Sequence, residues 1–274
     1  MRIIKIACVQ TNSKPDPETN ILEVGDLIRE AKSKGADFVT TPEVVGMLEP
    51  DREEALRKAE PESEHRVLRE FRDLASSLKV WLLIGSLSIK ISETKLSNRS
   101  FLLDPDGQIV ARYSKIHMFD VQVGDGNKYS ESKTYQPGTE VSLAKTPWGF
   151  MGLTICYDIR FPMLYRELAK AGAKIIFIPS AFTEVTGEAH WHVLQRARAI
   201  ENGCFIVSAA QVGNHAQNRK TFGHSIIVDP WGNVLADAGK TTGVIVAEVD
   251  LGLVEQARNK IPSLFHDREY LKLF

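Results

Sequence analysis

Three residues with different functional groups could together carry out nucleophilic catalysis. They are Glu43, Lys115 and Cys156, and each lies where an apolar, strand-like run gives way to a loop. A cysteine nucleophile requires a base that accepts its proton and a donor that stabilises the oxyanion formed by its attack. A glutamate and a lysine can supply these two functions if the fold brings them to the thiol. The sequence therefore predicts a thiol-dependent enzyme, provided that these distant loops meet in one cleft.

Cys156 has the most informative surroundings of the three. It lies in Gly-Leu-Thr-Ile-Cys-Tyr-Asp-Ile-Arg-Phe-Pro (152–162), where an apolar run ends at the thiol and a helix is predicted to begin at the final proline. The alternative for any cysteine is a buried core position. We predict that position for Cys8 and Cys204, because both lie inside apolar strands. For the glutamate and the lysine taken alone, the alternatives are a solvated carboxylate and an exposed ammonium group.

Strands and helices that could position these residues alternate along the chain. Apolar runs predict strands at about 3–9, 37–41, 80–87, 174–178, 205–210 and 244–249, with hairpins over 100–113 and 225–235. Helical spacing predicts helices after the first strand, over 63–78, over 162–171 and up to residue 200. We expect the first helix to face inward through Ile21, Leu22, Leu27, Ile28 and Ala31, and the last through Val193, Leu194, Ala197 and Ile200. Residues 117–140 are predicted to form a polar loop that carries Glu131.

Two segments recur in the same order in the two halves of the chain. Residues 35–42 match 172–179 in register, and residues 100–111 match 225–236. Repeated units of this size indicate a pseudo-twofold architecture. Because each half consists of strands and helices, we predict an α/β fold, a four-layer α-β-β-α sandwich in a single domain over 1–274. The alternative is two unrelated units that share common turn chemistry.

Composition excludes several classes of protein. The chain has 274 residues, of which 43% are hydrophobic, and a net charge of −1, which argues against a nucleic-acid or membrane-surface protein. Its longest apolar runs are strand-sized, so we expect no transmembrane helix. The first apolar segment is broken by Lys5 and is predicted to be a strand and not a signal peptide. Three cysteines do not make a disulfide framework, so we expect a cytoplasmic protein.

An ordered set of motifs resembles the nitrilase superfamily, the carbon–nitrogen hydrolases, over essentially the whole chain. The motifs are Pro42-Glu43, Lys-Ile-His (115–117), Ile-Cys-Tyr-Asp-Ile-Arg-Phe-Pro (155–162), Pro-Ser-Ala-Phe-Thr to Thr-Gly-Glu-Ala-His-Trp (179–191), Arg-Ala-Arg-Ala-Ile-Glu-Asn (196–202) and Gly-His-Ser-Ile-Ile-Val-Asp-Pro-Trp-Gly (223–232). The resemblance implies a Glu-Lys-Cys triad and the same sandwich fold. It also implies that catalysis uses no cofactor or metal, and that the protein forms a homodimer or a larger homo-oligomer.

The resemblance and the residue types together give each residue a role. A free thiol is mostly neutral at pH 7, so Glu43 is expected to accept the proton of Cys156, with its own pKa raised by partial burial. The Lys115 ammonium and the backbone N–H of Tyr157 are expected to stabilise the oxyanion. Glu131 matches the second glutamate of the family and is expected to orient Lys115.

The substrate class is implied by residues after the nucleophile. The stretches 156–162 and 179–191 resemble the Nit branch of the superfamily, whose substrates carry α-keto and carboxylate groups. The guanidinium of Arg160 could bind a substrate carboxylate; the alternative is an ion pair with Asp158 or Glu167. Further substrate contacts are expected from Phe182, Thr183 and His190.

Two groups within this branch share features with the chain. The sequence around Ser180 and His190 resembles the deaminated glutathione amidases, whereas Lys-Ile-His-Met-Phe-Asp (115–120) and Glu-Ser-Lys-Thr (131–134) resemble the ω-amidases. We therefore expect hydrolysis of deaminated glutathione to 2-oxoglutarate and Cys-Gly. The alternatives are ω-amidase action on 2-oxoglutaramate, or another amide, an N-carbamoyl compound or a nitrile.

Other function classes have weaker support. His190, His192, His215 and His224 raise the alternative of a metallohydrolase. However, His-x-His on a helix directs the two rings about 200° apart, so that pair cannot clamp one ion. A non-catalytic binding protein on the same scaffold is a third class, and Gly124–Gly126 lacks the pattern of a nucleotide-binding loop. The tail at about 250–274, which carries Phe265, Tyr270 and Phe274, is expected to contact another subunit.

Overall fold

Two six-stranded mixed sheets form the centre of the protein. The computed structural model describes residues 2–124 and 128–272. The strands are β1 (Ile3–Gln10), β2 (Phe38–Thr40), β3 (Trp81–Lys90), β4 (Leu96–Leu103), β5 (Ile109–Ser114), β6 (Asp120–Gln122), β7 (Lys128–Ser130), β8 (Ser142–Thr146), β9 (Gly149–Leu153), β10 (Ala173–Phe177), β11 (Phe205–Ser208), β12 (Val212–Asn214), β13 (Lys220–Phe222), β14 (Ile226–Val228), β15 (Val234–Asp237) and β16 (Gly243–Asp250). The helices are α1 (Pro17–Ser33), α2 (Arg52–Lys58), α3 (Arg66–Leu78), α4 (Pro162–Lys170), α5 (Glu184–Asn202) and α6 (Gly252–Lys260). Short 3-10 turns cover Glu131–Lys133, Cys156–Arg160, Ala216–Asn218 and Ser263–Phe265.

The two sheets share one topology, which confirms the predicted internal repeat. The first has the strand order β16-β1-β2-β3-β4-β5, and the second has the order β8-β9-β10-β11-β14-β15. In each sheet the second, third and fourth strands run parallel, and every other neighbouring pair is antiparallel. The recurring sequence segments contain β2 and β10, and they span the turns of the hairpins β4-β5 and β14-β15. Equivalent sequences therefore occupy equivalent places.

The sheets pack face to face with helices on their outer faces, which confirms the α-β-β-α sandwich. Between the sheets, the ring of Phe38 stacks on that of Phe177 with centres 4.8 Å apart. Helices α1 and α3 cover the first sheet, and α4 and α5 cover the second. Cys8 and Cys204 are fully buried free thiols, as predicted. Burial on both faces explains why the central parallel strands are almost continuously apolar.

Local sequence signals define the ends of the helices. The Asp16 carboxylate caps α1 by accepting the backbone N–H of Thr19 at 2.9 Å, and Pro17 occupies the first helical position. Thr183 caps α5, which ends at Gly203 with a left-handed φ of +53°. These signals fix where each of these two helices begins and ends, and so where the chain continues toward the next strand.

The predicted inward face of α5 is wrong for two of its four residues. Val193 and Ile200 are 69% and 52% exposed. The helix instead buries Thr186, Gly187, Trp191, Gln195, Arg198, Ala199 and Asn202. The buried Arg198 donates from Nε to the carbonyl of Ile159 at 2.8 Å. Since such a partner lies far away in sequence, helical spacing of apolar residues could not identify this face.

Other features also differ from the prediction, among them β8, which was not predicted. Leu22 is exposed on α1, and α2 was not predicted. The predicted polar loop over 117–140 contains the short hairpin β6-β7, and a second small hairpin, β12-β13, follows β11. Gly126 and Phe274, which the sequence analysis considered, lie outside the described residues. Within the described residues, every helix is too short or too polar to cross a lipid bilayer.

Candidate active site

The structure brings Glu43, Lys115 and Cys156 together at one end of the sandwich. Glu43 follows β2, Lys115 follows β5 directly, and Cys156 begins the 3-10 turn after β9. The Lys115 Nζ atom lies 2.8 Å from Glu43 Oε1, and the Cys156 thiol hydrogen-bonds to the same carboxylate. All three are buried, with 2–6% of each residue exposed. The carboxyl ends of parallel strands from both sheets thus meet in one place.

Glu43 is held by donors from both repeats. Its Oε1 atom accepts hydrogen bonds from Lys115 Nζ at 2.8 Å and from Asn98 Nδ2 at 2.9 Å. Its Oε2 atom accepts the backbone N–H of Ala181 at 2.8 Å. The next residue, Val44, has a left-handed φ of +49°, which is costly for a β-branched side chain. The strained turn and the fixed donors leave the carboxylate one orientation.

Lys115 is clamped between two carboxylates. Besides Glu43, its Nζ atom contacts Glu131 Oε2 at 2.8 Å and Oε1 at 3.0 Å. Glu131 itself is oriented by the backbone N–H of Phe119 at 2.7 Å and by Asn98 Nδ2 at 3.2 Å. Glu131 therefore lies where it can orient the ammonium group.

The turn at Cys156 is fixed by a buried aspartate. Cys156 has φ +49°, unusual for a non-glycine residue, and its N–H donates to the carbonyl of Pro179 at 3.0 Å. The Asp158 carboxylate, fully buried, accepts the N–H of Ile155 at 2.9 Å and both the N–H and Nδ1 of His117 at 3.0 and 2.7 Å. It also accepts the Tyr113 hydroxyl at 2.7 Å. Asp158 therefore ties the Cys156 turn to the segment that carries Lys115.

The electrostatics define the resting protonation state. Burial by itself raises the pKa of Glu43, but the Lys115 ammonium and the hydrogen bonds from Lys115 and Cys156 lower it below the usual 4.5. Burial and the Glu43 carboxylate raise the pKa of Cys156 well above 9.0. Burial opposes the charge of Lys115, yet Glu131 and Glu43 raise its pKa well above 10.5. The expectation that burial raises the pKa of Glu43 was therefore wrong, because the adjacent ammonium outweighs desolvation. The resting site therefore holds a neutral Cys156 thiol, an ionised Glu43 carboxylate and the Lys115 ammonium.

A cavity of about 330 Å³ opens onto these groups. All three of them line it, together with Asn98 and Glu131. Its volume lies near the lower end of the range typical of ligand pockets. The site thus has a buried nucleophile, an adjacent carboxylate and room for a small molecule.

A family model described as Carbon-nitrogen hydrolase matches residues 5–259. The chain belongs to the carbon–nitrogen hydrolase family. The deaminated glutathione amidases of Yersinia enterocolitica and Homo sapiens are both 39% identical to it, over 98% and 96% of this chain and 94% and 82% of theirs. Among solved structures, Saccharomyces cerevisiae Nit3, a member of branch 10 of the nitrilase superfamily, is 30% identical with a TM-score of 0.85 over 95% of both chains. The C. elegans NitFhit protein gives a TM-score of 0.92 at 36% identity, over 98% of this chain and 66% of that one.

These findings confirm the predicted superfamily and enzyme class. This carbon–nitrogen hydrolase is an amidase of the nitrilase superfamily. The triad and its supporting residues lie within the matched range. The individual roles assigned to these residues stay predictions.

The residues predicted to bind substrate divide into two groups. Phe182 and Thr183 line the cavity of the hydrolase, as does Tyr157. Arg160 and His190 do not; Arg160 Nη2 instead lies 3.1 Å from His190 Nδ1. The Arg160 guanidinium lies 5.6 Å from the ring centre of Phe182 and 5.9 Å from that of Tyr157. Arg160 therefore borders the cavity, and it forms neither of the ion pairs considered as alternatives.

Sequence reasoning missed three residues of the site. Asn98 contacts both carboxylates that hold Lys115. Asp158 was considered only as a partner for Arg160. Arg219, between the 3-10 turn at 216–218 and β13, lines the cavity. Its Nη2 atom donates to the Ala181 carbonyl at 3.4 Å, while its buried Nε atom has no hydrogen-bond partner among the described residues. Only the position of Asn98, which with Lys115 flanks the predicted hairpin over 100–113, offered a signal.

Proposed function

We propose that this hydrolase converts deaminated glutathione to 2-oxoglutarate and Cys-Gly through a thioester on Cys156. The observation that carries the proposal is the contact of one buried carboxylate, Glu43, with both the Cys156 thiol and the Lys115 ammonium at the cavity. Relatives named deaminated glutathione amidase, 38–40% identical over 95–98% of this chain, support the substrate. An amidase can act through a nucleophilic site of this kind, in which an adjacent base activates the thiol.

The first half of the reaction forms the thioester. Cys156 Sγ attacks the amide carbonyl carbon as its proton passes to Glu43, because the resting thiol is neutral. The Lys115 ammonium and the Tyr157 backbone N–H stabilise the oxyanion, and each such donor contributes about 2.7–4 kcal/mol of barrier lowering. When the C–N bond breaks, Glu43 gives its proton to the leaving nitrogen, which becomes the amino group of Cys-Gly. The 2-oxoglutaryl group remains on sulfur.

The second half hydrolyses the thioester. Glu43 accepts a proton from a water molecule, whose oxygen attacks the thioester carbonyl. The C–S bond then breaks, 2-oxoglutarate leaves, and Glu43 returns the proton to sulfur. Glu43 is therefore ionised at the start of each half and protonated in its middle, which agrees with its lowered pKa in the resting enzyme.

The two carboxylates of deaminated glutathione have two candidate partners. Arg219 lines the cavity and has a buried, unsatisfied Nε donor within the described structure. An unpaired buried guanidinium donor is costly, and a carboxylate satisfies it with charge-assisted hydrogen bonds. We assign Arg219 to the carboxylate of the Cys-Gly portion and Arg160, at the border, to the α-keto acid end. His190, which contacts Arg160, is assigned to its orientation, and Phe182 and Thr183 contact the acyl chain.

The test compares deaminated glutathione with 2-oxoglutaramate. The two share one acyl group, but hydrolysis of 2-oxoglutaramate releases ammonia and not Cys-Gly. We expect kcat/KM to be at least about tenfold higher for deaminated glutathione, since one charge-assisted contact contributes about 1.5–3 kcal/mol. Equal values, or a preference for 2-oxoglutaramate, would reject the substrate assignment and leave the triad intact. Cys156→Ser is the control for mechanism: full turnover by that variant would reject the thioester.

We also propose a homo-oligomer, at least a dimer, in which the C-terminal tail contacts a second subunit. Phe265, Tyr270 and Leu271 are 81–88% exposed, although Arg166 anchors this segment by contacting Asp267. Light scattering on the full chain and on Tyr270→Ser, Leu271→Ser should show a weaker oligomer in the variant. A monomeric full chain at micromolar concentration would reject the proposal.

A further inference from the structure

Two histidines and an aspartate converge at a surface position that the catalytic reaction does not use. His192 lies on α5, His224 lies between β13 and β14, and Asp237 ends β15. His192 Nε2 is 2.8 Å from Asp237 Oδ2, and His224 Nδ1 is 2.9 Å from Asp237 Oδ1. The ligand atoms of all three side chains lie within 4.8 Å of one another. Three separate elements therefore direct nitrogen and oxygen donors at one point.

The spacing of these donors suits a small divalent cation. Zinc binds imidazole nitrogen and carboxylate oxygen at about 2.0–2.2 Å, so tetrahedral ligand atoms lie about 3.3–3.6 Å apart. The observed separations, from 2.8 Å to at most 4.8 Å, bracket that value. The side chains are 20–38% exposed, which leaves room for a water molecule as a fourth ligand.

The chemistry of the histidines allows them to bind a metal without loss of other contacts. At present each ring points one nitrogen at Asp237, and within the described residues no hydrogen bond engages His192 Nδ1 or His224 Nε2. The ring proton can therefore move to the outer nitrogen, which frees the inner nitrogen as a neutral ligand. The Asp237 carboxylate supplies the negative charge that a divalent cation requires.

The surrounding structure holds the three groups in place. The His224 carbonyl accepts Trp191 Nε1 at 2.8 Å, and its N–H donates to the Gly239 carbonyl at 2.8 Å. The His224 ring stacks on Phe222 with centres 4.5 Å apart. The backbone N–H of Gly239 donates to Asp237 Oδ1 at 2.8 Å. Such outer contacts orient metal ligands and raise affinity.

We propose that His192, His224 and Asp237 form a Zn²⁺ site, separate from the catalytic cavity, that joins α5 to the segment after β13 and to β15. None of the three lines that cavity. The bound ion would be structural, because it would hold together three elements of the native state, and the unfolded chain has no preformed site for it. This inference is independent of the substrate and of the triad.

Isothermal titration of Zn²⁺ into the full chain tests the proposal. The titration uses a Cys156→Ala background, which removes the catalytic thiol as a competing ligand. We expect one equivalent to bind, and the Tm to rise by at least about 5 °C at a hundredfold excess over Kd. The Co²⁺-substituted protein should show ligand-field bands without a sulfur charge-transfer band. No stoichiometric binding would overturn the proposal.

Variants locate the ion. His192→Ala and Asp237→Asn should each weaken binding at least about tenfold, by analogy with the loss of a ligand-orienting contact. His190→Ala is the matched control, because His190 is an exposed histidine on the same helix as His192, and it contacts Arg160 and not Asp237. Circular dichroism confirms folding of each variant. Unchanged binding in His192→Ala, or equal loss in His190→Ala, would show that the ion binds elsewhere and would overturn the assignment.

Discussion

Replacing Glu43 by glutamine should separate proton transfer from charge balance in the active site. Glu43 and Glu131 each place a carboxylate oxygen 2.8 Å from Lys115 Nζ, but only Glu43 also contacts the Cys156 thiol. At 2.8 Å and an effective dielectric constant of about 20, each carboxylate attracts the ammonium by roughly 6 kcal/mol before desolvation. Either variant leaves Lys115 with one carboxylate. Glu131→Gln is therefore a control of the same size, charge and distance.

The two variants should differ in turnover and not in stability. Loss of a general base lowers rates by about 10²–10⁴-fold, or about 2.7–5.5 kcal/mol of barrier. We expect that loss of kcat/KM in Glu43→Gln, a smaller loss in Glu131→Gln, and similar changes in Tm. Steady-state kinetics and calorimetry on both variants provide the comparison. Equal losses of kcat/KM would show that Glu43 acts only by holding Lys115, and would refute its role as base.

Alkylation of Cys156 by iodoacetamide provides a second readout with the opposite sign. The Glu43 carboxylate raises the pKa of the thiol, whereas Lys115 lowers it. Glu43→Gln should therefore form the thiolate at lower pH although it hydrolyses the amide more slowly. The alkylation rate followed against pH should have its midpoint shifted to lower pH relative to the wild type. A midpoint that moves to higher pH would contradict the electrostatic assignment.

Three further outcomes follow from the site. Because the pKa of Glu43 is lowered and those of Cys156 and Lys115 are raised, the base loses its charge only below pH 4.5, and the thiol and ammonium lose protons only above pH 9.0. We therefore expect kcat/KM to be flat between these limits for an S-methylated substrate, which lacks the substrate thiol that titrates near ~8.5. A fall in kcat/KM on the acid side near neutral pH would contradict this. Asp158→Asn should lower the Tm by about 6 °C or more, because an asparagine side chain cannot accept from all four donors around residue 158 and each unsatisfied donor costs about 1–3 kcal/mol. An unchanged Tm in calorimetry would show that those donors find other partners. Arg219→Met should raise the KM for deaminated glutathione about 10–100-fold and leave the KM for 2-oxoglutaramate nearly unchanged. Equal increases in KM for both substrates would show that Arg219 binds the α-keto acid end, which the two substrates share.

The sequence was sufficient to predict the sheets and the meeting of Glu43, Lys115 and Cys156 in one place, because both depend on local signals. Continuous apolar runs such as 80–84 define parallel strands buried on both faces, and the repeat fixes their order. In an α/β fold the strand ends share one edge, so Glu43 and Cys156 could be expected to meet. Asn98, which sequence reasoning missed, lies beside the end of β5, because its carbonyl accepts the N–H of Lys115.

Features that depend on tertiary partners were not predictable in the same way. On α5, Gln195 is fully buried because its Oε1 accepts the Ser208 hydroxyl at 2.7 Å, and no local pattern of apolar residues reveals such a pair. Arg219 lies near a short turn in which Gln217 and Asn218 have φ of +53° and +60°. Polar residues in left-handed turns show no hydrophobic periodicity. The sequence therefore could not place the hairpin β12-β13 or the Arg219 guanidinium at the cavity.

Gly85, on β3, sits where the turns that carry the catalytic groups approach each other. A methyl group on its Cα would lie 2.6 Å from Pro179 Cβ and closer still to the carbonyl oxygens of Thr41 and Pro42, whereas ordinary contact begins near 3.4 Å. Glu43 follows Pro42, and the Pro179 carbonyl accepts the N–H of Cys156.

Gly85→Ala should therefore push apart the two turns that hold Glu43 and Cys156. We expect loss of about 1–3 kcal/mol of stability from overpacking, and a fall in kcat of about a hundredfold, since small misplacement of reacting groups has that effect. Gly25→Ala, inside α1, is the matched control: its nearest neighbour is the flexible Arg29 side chain at 3.3 Å, and alanine in a helix should stabilise by about 0.5–1 kcal/mol. Calorimetry and kinetics on both variants decide the matter. A Gly85→Ala enzyme with normal kcat would mean that the turns can move without displacing the thiol from the carboxylate, and that close packing of the two sheets does not set the catalytic geometry.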